Sequence, residues 1–255
     1  MNLRLVTMTG ADDGTDHNQL AALSAEFPFV EWGILLSYSQ EGGLRFPGAR
    51  WQAELCQTVD AHPGMNISLH VCGRWVREIL AGDPPRALFE DRARIVAAAR
   101  RIQLNTHAER HSAFTFGASG ALSKAAPGKQ IIFQIDGVND DNLEAARTFG
   151  ELDAVGLFDL SHGAGVLPNE WPAARPMVEV GFNPSVSVKS VLHGYAGGLG
   201  PDNLADQLPH IAAAAGDAPF WIDMETRVRS RAPGGDYFDL DKVRRCLEIC
   251  RPFVS

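Results

Sequence analysis

The stretch QIIFQIDGVNDDNLEAARTFGELDAVGLFDLSHG, residues 130–163, contains the repeating unit that decides the fold. It begins with a short apolar run, continues with a segment of helical periodicity, and ends with a second apolar run. Short buried strands and amphipathic helices produce these two patterns. Residues 130–163 therefore predict a strand, a helix and a second strand.

The same alternation runs along the whole chain, with an apolar segment at intervals of roughly 30 residues. The strand-like segments are LRLVTMTG, VEWGILLS, NISLHVCG, RIQLNTH, QIIFQIDG, AVGLFDLSHG, VLHGYAGG and FWIDMET. Helical periodicity lies between or after them, as in NQLAALSAEF, DRARIVAAARR, DNLEAARTFGEL, NLADQLPHIAAAAG and LDKVRRCLEICRPF. This pattern predicts the α/β class and a single (β/α)8 TIM barrel over residues 1–255, because a doubly wound open sheet usually has fewer strands. The proline-broken stretch at residues 171–191 is predicted to be an irregular excursion before the seventh strand.

Composition narrows the classes of function. The chain has 255 residues, 45% of them hydrophobic, with a formal net charge of -8 and a pI of about 5.5. Nucleic-acid phosphates are bound by clustered Lys and Arg, so this acidic balance argues against a nucleic-acid partner. No apolar run approaches the ~18 residues that span a bilayer, and the first residues lack a signal-peptide profile. We expect a cytoplasmic monomer or homodimer with no membrane partner.

The four cysteines do not indicate a disulfide framework or a zinc site. Cys56, Cys72, Cys246 and Cys250 are few for a chain of this length, and no CxxC pair is present. Cys246 and Cys250 are four residues apart on a predicted helix and therefore share one of its faces. We expect both to be buried free thiols.

Alternation along the predicted strands indicates which side chains enter the barrel, and in this fold chemistry collects at the carboxyl ends of the strands. The interior residues predicted in this way are Ser68, His70, Cys72, Trp221, Asp223 and Glu225, together with Thr7, Thr9, Gln103, Asn105, Gln134, Asp136 and Asp159. Burying so many polar groups is unfavourable unless they are paired or solvated. The sequence therefore predicts a solvated cavity at the mouth of the barrel.

Two glycine-rich turns follow neighbouring predicted strands. HGAG covers residues 162–165, and GYAGGLGPDN covers residues 194–203. Glycine permits close backbone approach, and amides at a helix N-terminus carry partial positive charge, so this pattern favours a phosphate site. Its predicted residues are Gly163, Ala164, Gly165, Gly197 and Gly198. A plain strand-to-helix turn is the alternative interpretation.

The segment AGGLGPDN resembles the AGGL-x-P-x-N segment of phosphoribosylanthranilate isomerases, the β/α barrels of tryptophan biosynthesis. LFDLSHGAGVLPNEW, WGILLSYSQEGGLRF and RIQLNTHAE are similar to that family's sixth strand with its glycine loop, its second strand with its arginine loop, and its fourth strand. The resemblance covers most of the chain. It implies an isomerase that acts on a small phosphorylated sugar derivative by an aldose–ketose rearrangement, with no cofactor and no metal.

The resemblance also implies roles for individual residues. Asp159 falls on the general acid, and Arg45 falls on the arginine that holds the anthranilate carboxylate. Further residues predicted to contact the substrate are Asp136, Asp223 and Glu225.

The chain departs from the family at several positions. Thr9 occupies the position of the general-base cysteine, and an unassisted alcohol is not an accessible base near neutral pH. His70 and Cys72 on the third strand are the candidates to replace it, although both side chains also suit a purely structural role. Replacements elsewhere are His162 at a glycine position and Glu225, Thr226 and Arg227 in place of a Ser-Ser-Gly run.

Two other functions fit the same sequence. Carboxylates and an imidazole that converge from separate strands could hold a divalent metal, as in sugar-phosphate epimerases and aldolases. The residues concerned are His70, Asp136, Asp159, Asp223 and Glu225, which show no compact ligand spacing. The third interpretation is a barrel that binds a sugar phosphate without catalysis. Thr9 supports it, because threonine stands where the family has its general base.

Overall fold

The computed structural model describes residues 1–107, 110–159, 161, 165–175, 177–180, 186–189, 191–233 and 235–255. The strands are β1 Leu3–Thr9, β2 Val30–Ser37, β3 Asn66–Cys72, β4 Arg101–Asn105, β5 Gln130–Ile135, β6 Asp153–Phe158, β7 Met177–Val180, β8 Val186–Lys189, β9 His193–Ala196, β10 Phe220–Met224, β11 Arg229–Ala232 and β12 Gly235–Phe238. The α-helices are α1 His17–Glu26, α2 Ala49–Ala61, α3 Arg74–Leu80, α4 Arg86–Phe89, α5 Ala93–Ala98, α6 Phe116–Ala125, α7 Asp141–Phe149, α8 Leu204–Ala215 and α9 Leu240–Cys250.

Eight parallel strands close into a barrel in the order β1, β2, β3, β4, β5, β6, β9, β10 and back to β1. Each of the eight apolar segments identified in the sequence coincides with one of these strands, and only β6 begins one residue before its segment. The five helical segments correspond to α1, α5, α7, α8 and α9. The structure therefore confirms the predicted eightfold β/α barrel.

Two antiparallel strand pairs lie outside the barrel. β7 pairs with β8 inside the stretch predicted to be irregular, so that prediction was wrong for residues 177–180 and 186–189. The alternating β-branched residues of MVEV and VSVK are the sequence pattern that would have indicated strands. β11 pairs with β12 in the segment that connects the last barrel strand to α9.

Apolar residues pack on both sides of the barrel wall, as strand alternation predicts. Ile67, Leu69 and Val71 of β3 belong to the large core between strands and helices. Trp221 lies in the smaller core inside the barrel. A Cβ atom at Gly194 would lie 2.3 Å from the Trp221 ring, so glycine on β9 makes the space for this indole.

All four cysteines are buried free thiols, which confirms the prediction for Cys246 and Cys250. Both lie on the buried face of α9, and burial raises the pKa of Cys246 to about 12. In the part of the chain that the structure describes, no helix is both long and apolar enough to cross a membrane.

Candidate functional site

A cleft of about 540 Å³, partly open to solvent, lies at the carboxyl ends of the barrel strands. Its lining comes from β3, β4, β5, β6, β9, β10 and the loops that follow them. The lining residues are His70, Gln103, Asn105, His107, Gln134, Asp159, Ser161, Gly165, Ala196, Gly197, Gly198, Leu199, Asp223, Met224, Glu225, Thr226 and Arg227. Most of these side chains are polar, so the site offers hydrogen bonds and charge more than apolar surface.

Asp223 on β10 is a buried carboxyl group in the wall of the cleft. Burial, together with the nearby charges of Glu225, Asp159 and Glu31, raises its pKa to about 8, against the hydrogen bond from Thr9. The Thr9 Oγ1 donates that bond to Asp223 Oδ1 over 2.7 Å. At neutral pH Asp223 therefore holds a proton, and Thr9 acts as its donor rather than as a base.

The His70 side chain on β3 lies close to the Asp223 side chain on β10. Its Nδ1 lies 3.9 Å from Asp223 Oδ2, and its Nε2 shares a 3.1 Å hydrogen bond with Ser68 Oγ. Burial and the charge of Arg101 lower the pKa of His70 to about 4, against the charge of Glu31. At neutral pH the imidazole is uncharged, so its contact with the protonated Asp223 is not an ion pair.

Asp159 follows β6 and accepts hydrogen bonds on both carboxyl oxygens. Ser161 donates to Oδ1 from its backbone amide at 3.2 Å and from its hydroxyl at 2.7 Å. Gln134 Nε2 donates to Oδ2 at 3.3 Å. These three donors hold the carboxyl group of Asp159 in one orientation at the cleft.

A row of amide side chains connects the cleft to Cys72. Gln103 Nε2 donates to Asn105 Oδ1 at 2.7 Å, and Asn105 Nδ2 donates to Cys72 Sγ at 3.3 Å. Burial raises the pKa of Cys72 to about 12, against the hydrogen bond from Asn105. This thiol lies behind Asn105 and stays protonated at neutral pH, so it does not supply a thiolate base.

The AGGLGPDN loop packs directly against the backbone of residues 165–167. Gly198 has a φ of 63°, and a Cβ atom there would lie 2.5 Å from the Leu167 nitrogen. Asn203 fixes the same loop, because its Oδ1 accepts from the Gly200 amide at 2.9 Å and its Nδ2 donates to the Gly198 carbonyl at 2.8 Å. Loop packing thus requires glycine at 198 and explains the asparagine of AGGLGPDN.

Arg45 lies between β2 and α2 and contacts two carboxylates. Its Nη1 donates to Glu225 Oε1 and its Nη2 to Asp236 Oδ2, each at 2.8 Å. Asp236 also pairs with the buried Arg229, which in turn pairs with Asp12. This charge network joins the loops after β1, β2 and β10 at the rim of the barrel.

The structure brings together part of the predicted site. The predicted residues that line the cleft are His70, Asp159, Asp223, Glu225, Gly165, Gly197 and Gly198, and those that do not are Thr9, Arg45, Cys72 and Asp136. Gly163, Ala164 and His162 lie outside the described residues. His107 and Ser161 line the cleft but were not selected from the sequence. Their positions just after β4 and β6 are the feature that could have identified them, because loops after barrel strands carry the chemistry.

Asp136, one of the predicted substrate contacts, is engaged by the protein itself. Its Oδ1 accepts from the amides of Val138 and Asn139, each at 2.9 Å, and Thr106 donates to its Oδ2. Burial alone would raise its pKa, but these donors outweigh burial and hold the pKa below its usual range. Its oxygens organise the loop after β5.

A metal centre needs several ligand side chains at one point. Within the described ranges, no group of three or more His, Cys, Asp or Glu residues is placed to hold a metal ion. The cleft carboxyl groups are held instead by hydroxyl, amide and guanidinium donors, such as Thr9, Gln134 and Arg45.

Comparison with known proteins identifies the fold. No protein-family model and no curated protein matches the chain. Among solved structures, the phospho-2-dehydro-3-deoxyheptonate aldolase (DAHP synthase) of Thermotoga maritima is similar, with a TM-score of 0.53 over 99% of this chain and 69% of that chain. The chain is a TIM barrel.

At 13% sequence identity, this similarity concerns the TIM-barrel fold alone. The carboxyl transferase domain of Rhizobium etli pyruvate carboxylase gives a TM-score of 0.25 at 18% identity, over 56% of this chain and 29% of that chain. This score is too low to indicate a shared fold. The chemistry of this TIM barrel therefore depends on the residues of its own cleft.

Proposed function

We propose that this TIM barrel binds a small phosphorylated sugar derivative in the cleft and catalyses its aldose–ketose isomerisation. The observation that carries the proposal is the contrast between Asp223 and Asp159. Asp223 is buried beside one hydroxyl donor and holds a proton at neutral pH, whereas Asp159 accepts hydrogen bonds from three donors. Two carboxyl groups in one site with such different surroundings suit a general acid and a general base.

The two carboxyl groups can supply and remove every proton needed to isomerise a sugar whose C1 carries an amine. Asp223 gives its proton to the ring oxygen as the C1–O bond breaks and the nitrogen lone pair forms a C1=N bond. Asp159 removes the proton on C2, which gives an enol with a C1=C2 bond. Asp159 returns that proton to C1, and the C2 hydroxyl gives its proton back to Asp223, which leaves the ketose and restores the enzyme.

This assignment reverses the role that the family resemblance implies for Asp159. The resemblance makes Asp159 the acid, but the proton at neutral pH lies on Asp223. Asp223 is therefore the better donor in the first step, and Asp159 is the better acceptor in the second.

The phosphate is proposed to bind on the cleft side of the glycine loops. Gly198 packs against the backbone of residues 165–167, so the space between the two loops is filled at that point. Arg227 lines the cleft, is exposed, and forms no ion pair with any described residue. A guanidinium beside backbone amides that precede α8 matches the charge and geometry of a phosphate group.

An isomerase assay with Asp159→Asn tests the proposal. Phosphorylated aldoses and aldosylamines are incubated with the protein, and ketose formation is followed by NMR. Asp159→Asn should lower kcat by roughly 100-fold or more with KM nearly unchanged, because the lost group acts on protons. Asp217→Asn, at an exposed position before the amino end of β10, is the matched control.

Three results would contradict the proposal. Unchanged kcat in Asp159→Asn would remove Asp159 from the chemistry. Loss of activity in EDTA with recovery on a divalent ion would support a metal-dependent epimerase or aldolase. Phosphate binding with no turnover of any substrate would support a non-catalytic binding barrel.

A further inference from the structure

The lining of the cleft displays hydrogen-bond acceptors and carboxyl groups in addition to the glycine loop of the proposed phosphate site. We infer that the non-phosphate end of the substrate is an aliphatic amine, and not the aromatic carboxylate that the family resemblance implies. This inference rests on the proposed function and specifies its substrate class.

Gln103 Oε1 is a buried acceptor with no hydrogen-bond partner among the described residues. The residue lines the cleft and is only 3% exposed. Its orientation is fixed, because Nε2 donates to Asn105 Oδ1 while Asn105 in turn donates to Cys72. A buried carbonyl oxygen without a donor is costly, so this position calls for an N–H or O–H group from a ligand.

Two of the carboxyl groups that line the cleft with Gln103 lack cationic partners. Neither Asp159 nor Asp223 contacts a Lys or Arg among the described residues, and Glu225 is already paired with Arg45. An ammonium group near Asp159 would gain attraction and hydrogen bonds, whereas a carboxylate there would be repelled. Charge therefore favours an amine at this end of the ligand.

Arg45 is not free to hold a carboxylate of the substrate. Each of its three nitrogens donates to a protein carboxylate, with Nε and Nη2 on Asp236 and Nη1 on Glu225. Releasing it would leave Glu225 without a cationic partner and would remove one of the two cations that pair with Asp236. Arg45 also lies outside the lining of the cleft.

The cleft offers little surface for an aromatic ring. The apolar side chains in its described lining are Ala196, Leu199 and Met224, and none of the described lining residues is Phe, Tyr or Trp. Aryl groups are usually bound against extended apolar or aromatic surfaces. A compact aliphatic group fits this polar lining better than an anthranilate ring does.

A matched series of three ligands tests the inference. Ribose 5-phosphate is converted by reduction to ribitol 5-phosphate, and by reductive amination to 1-amino-1-deoxyribitol 5-phosphate and N-(5-phosphoribityl)anthranilate. All three share the phosphate and the sugar chain and differ only at C1. Titration calorimetry at pH 7 should show that the amine binds at least about tenfold more tightly than the anthranilate compound and more tightly than ribitol 5-phosphate.

The results separate this inference from the proposed function. If the anthranilate compound binds as well as the amine, or if ribitol 5-phosphate equals the amine, the inference is wrong while phosphate-sugar binding stands. If none of the three binds, the proposed function fails and the inference fails with it.

Two variants test the contribution of Gln103. Gln103→Met should weaken binding of 1-amino-1-deoxyribitol 5-phosphate by about five- to tenfold, the usual scale of one hydrogen bond, and should leave the affinity for inorganic phosphate unchanged. Gln130→Met, at the amino end of β5, is the matched control, and thermal unfolding checks that each variant is folded. Gln103→Glu should raise the preference for the amine over the anthranilate compound by at least about threefold, because it adds a negative charge. Unchanged amine affinity in Gln103→Met, or an unchanged ratio in Gln103→Glu, would overturn the inference.

Discussion

At the two ends of the barrel interior, the pKa of a buried carboxyl group is shifted in opposite directions. At the amino end of the strands, Glu31 accepts from Arg101 Nε at 2.7 Å and from Arg101 Nη2. Burial alone would raise the pKa of Glu31, but the charge and hydrogen bonds of Arg101 outweigh burial and lower it. At the carboxyl end, Asp223 has a hydroxyl donor and, among the described residues, no guanidinium partner, and burial raises its pKa to about 8.

The difference shows how one fold separates stability from chemistry. Arg101 also lies over the Trp221 ring, 4.4 Å from its centroid, so its charge is compensated on two sides. The Glu31–Arg101 pair is a buried charge pair, and neither residue lines the cleft. Asp223 keeps a removable proton at the end where barrel active sites lie.

The largest expected effect comes from breaking the charge pair at the amino end. Arg101→Met should lower the free energy of unfolding by about 3–5 kcal/mol, because Glu31 would be left buried without a cation. Urea titration measures this loss. Arg94→Met, which removes an exposed pair with Asp60, is the control and should cost less than about 1 kcal/mol.

A double variant checks the cause of that loss. Glu31→Gln combined with Arg101→Met should recover much of the stability, because no unpaired charge remains. A double variant as unstable as Arg101→Met alone would show that the loss is one of packing and would remove the electrostatic basis of the comparison.

A substitution at the carboxyl end should change the activity of the protein rather than its stability. Asp223→Asn should lower kcat by roughly 100-fold, equivalent to about 2.7 kcal/mol in the barrier, because it removes the proposed general acid. Its unfolding free energy at pH 8 should not fall, since the amide is uncharged like the protonated carboxyl group. Steady-state kinetics and urea titration are measured on the same preparation, and a stability loss as large as that of Arg101→Met would contradict the distinction.

An added methyl group in the glycine loop at the carboxyl end should lower the stability of the protein. Gly198→Ala and Gly128→Ala both place alanine at a positive φ, at 63° and 70°, but only Gly198 has backbone atoms in the path of the new Cβ. Gly198→Ala should therefore cost about 1–3 kcal/mol more than Gly128→Ala. Thermal unfolding of both variants measures the difference, and equal losses would mean that the loops are not tightly packed.

The pH dependence of stability should reveal the proton on Asp223. The folded state keeps this proton up to about pH 8, but an unfolded aspartate loses it near its ordinary value of 3.8. Stability should therefore fall as pH rises through this range, with a limiting slope of roughly 1.4 kcal/mol per pH unit. His70 has the opposite effect between about 4 and 6.5, because its pKa is lowered by burial, and burial lowers the pKa of His193 as well.

The window from pH 6.5 to 8 isolates Asp223, since above the ordinary histidine value of 6.5 the histidines no longer oppose it. The free energy of unfolding should decrease across this window in the native chain and stay flat in Asp223→Asn. Urea titration at each half unit of pH gives both profiles. A native profile that is flat from 6.5 to 8 would show that Asp223 is ionised.

The sequence by itself determined the barrel and the sidedness of its strands. Strand and helix patterns are local, so eight apolar runs were sufficient to locate β1–β6, β9 and β10. The alternation of side chains along a strand is equally local, so the sequence alone places His70 and Asp223 in the interior of the barrel.

The tertiary structure alone decided which charges meet. Arg45 pairs with Asp236 and Glu225, which lie 191 and 180 residues away, and no local pattern indicates such partners. The same holds for Asp223, whose pKa depends on burial by other strands, and which has no guanidinium partner in the described part of the chain, whereas Glu31 has Arg101. Hydrophobic periodicity acts over a few residues along the chain, whereas pKa and ion pairing depend on the dielectric and the charges that folding places around a group.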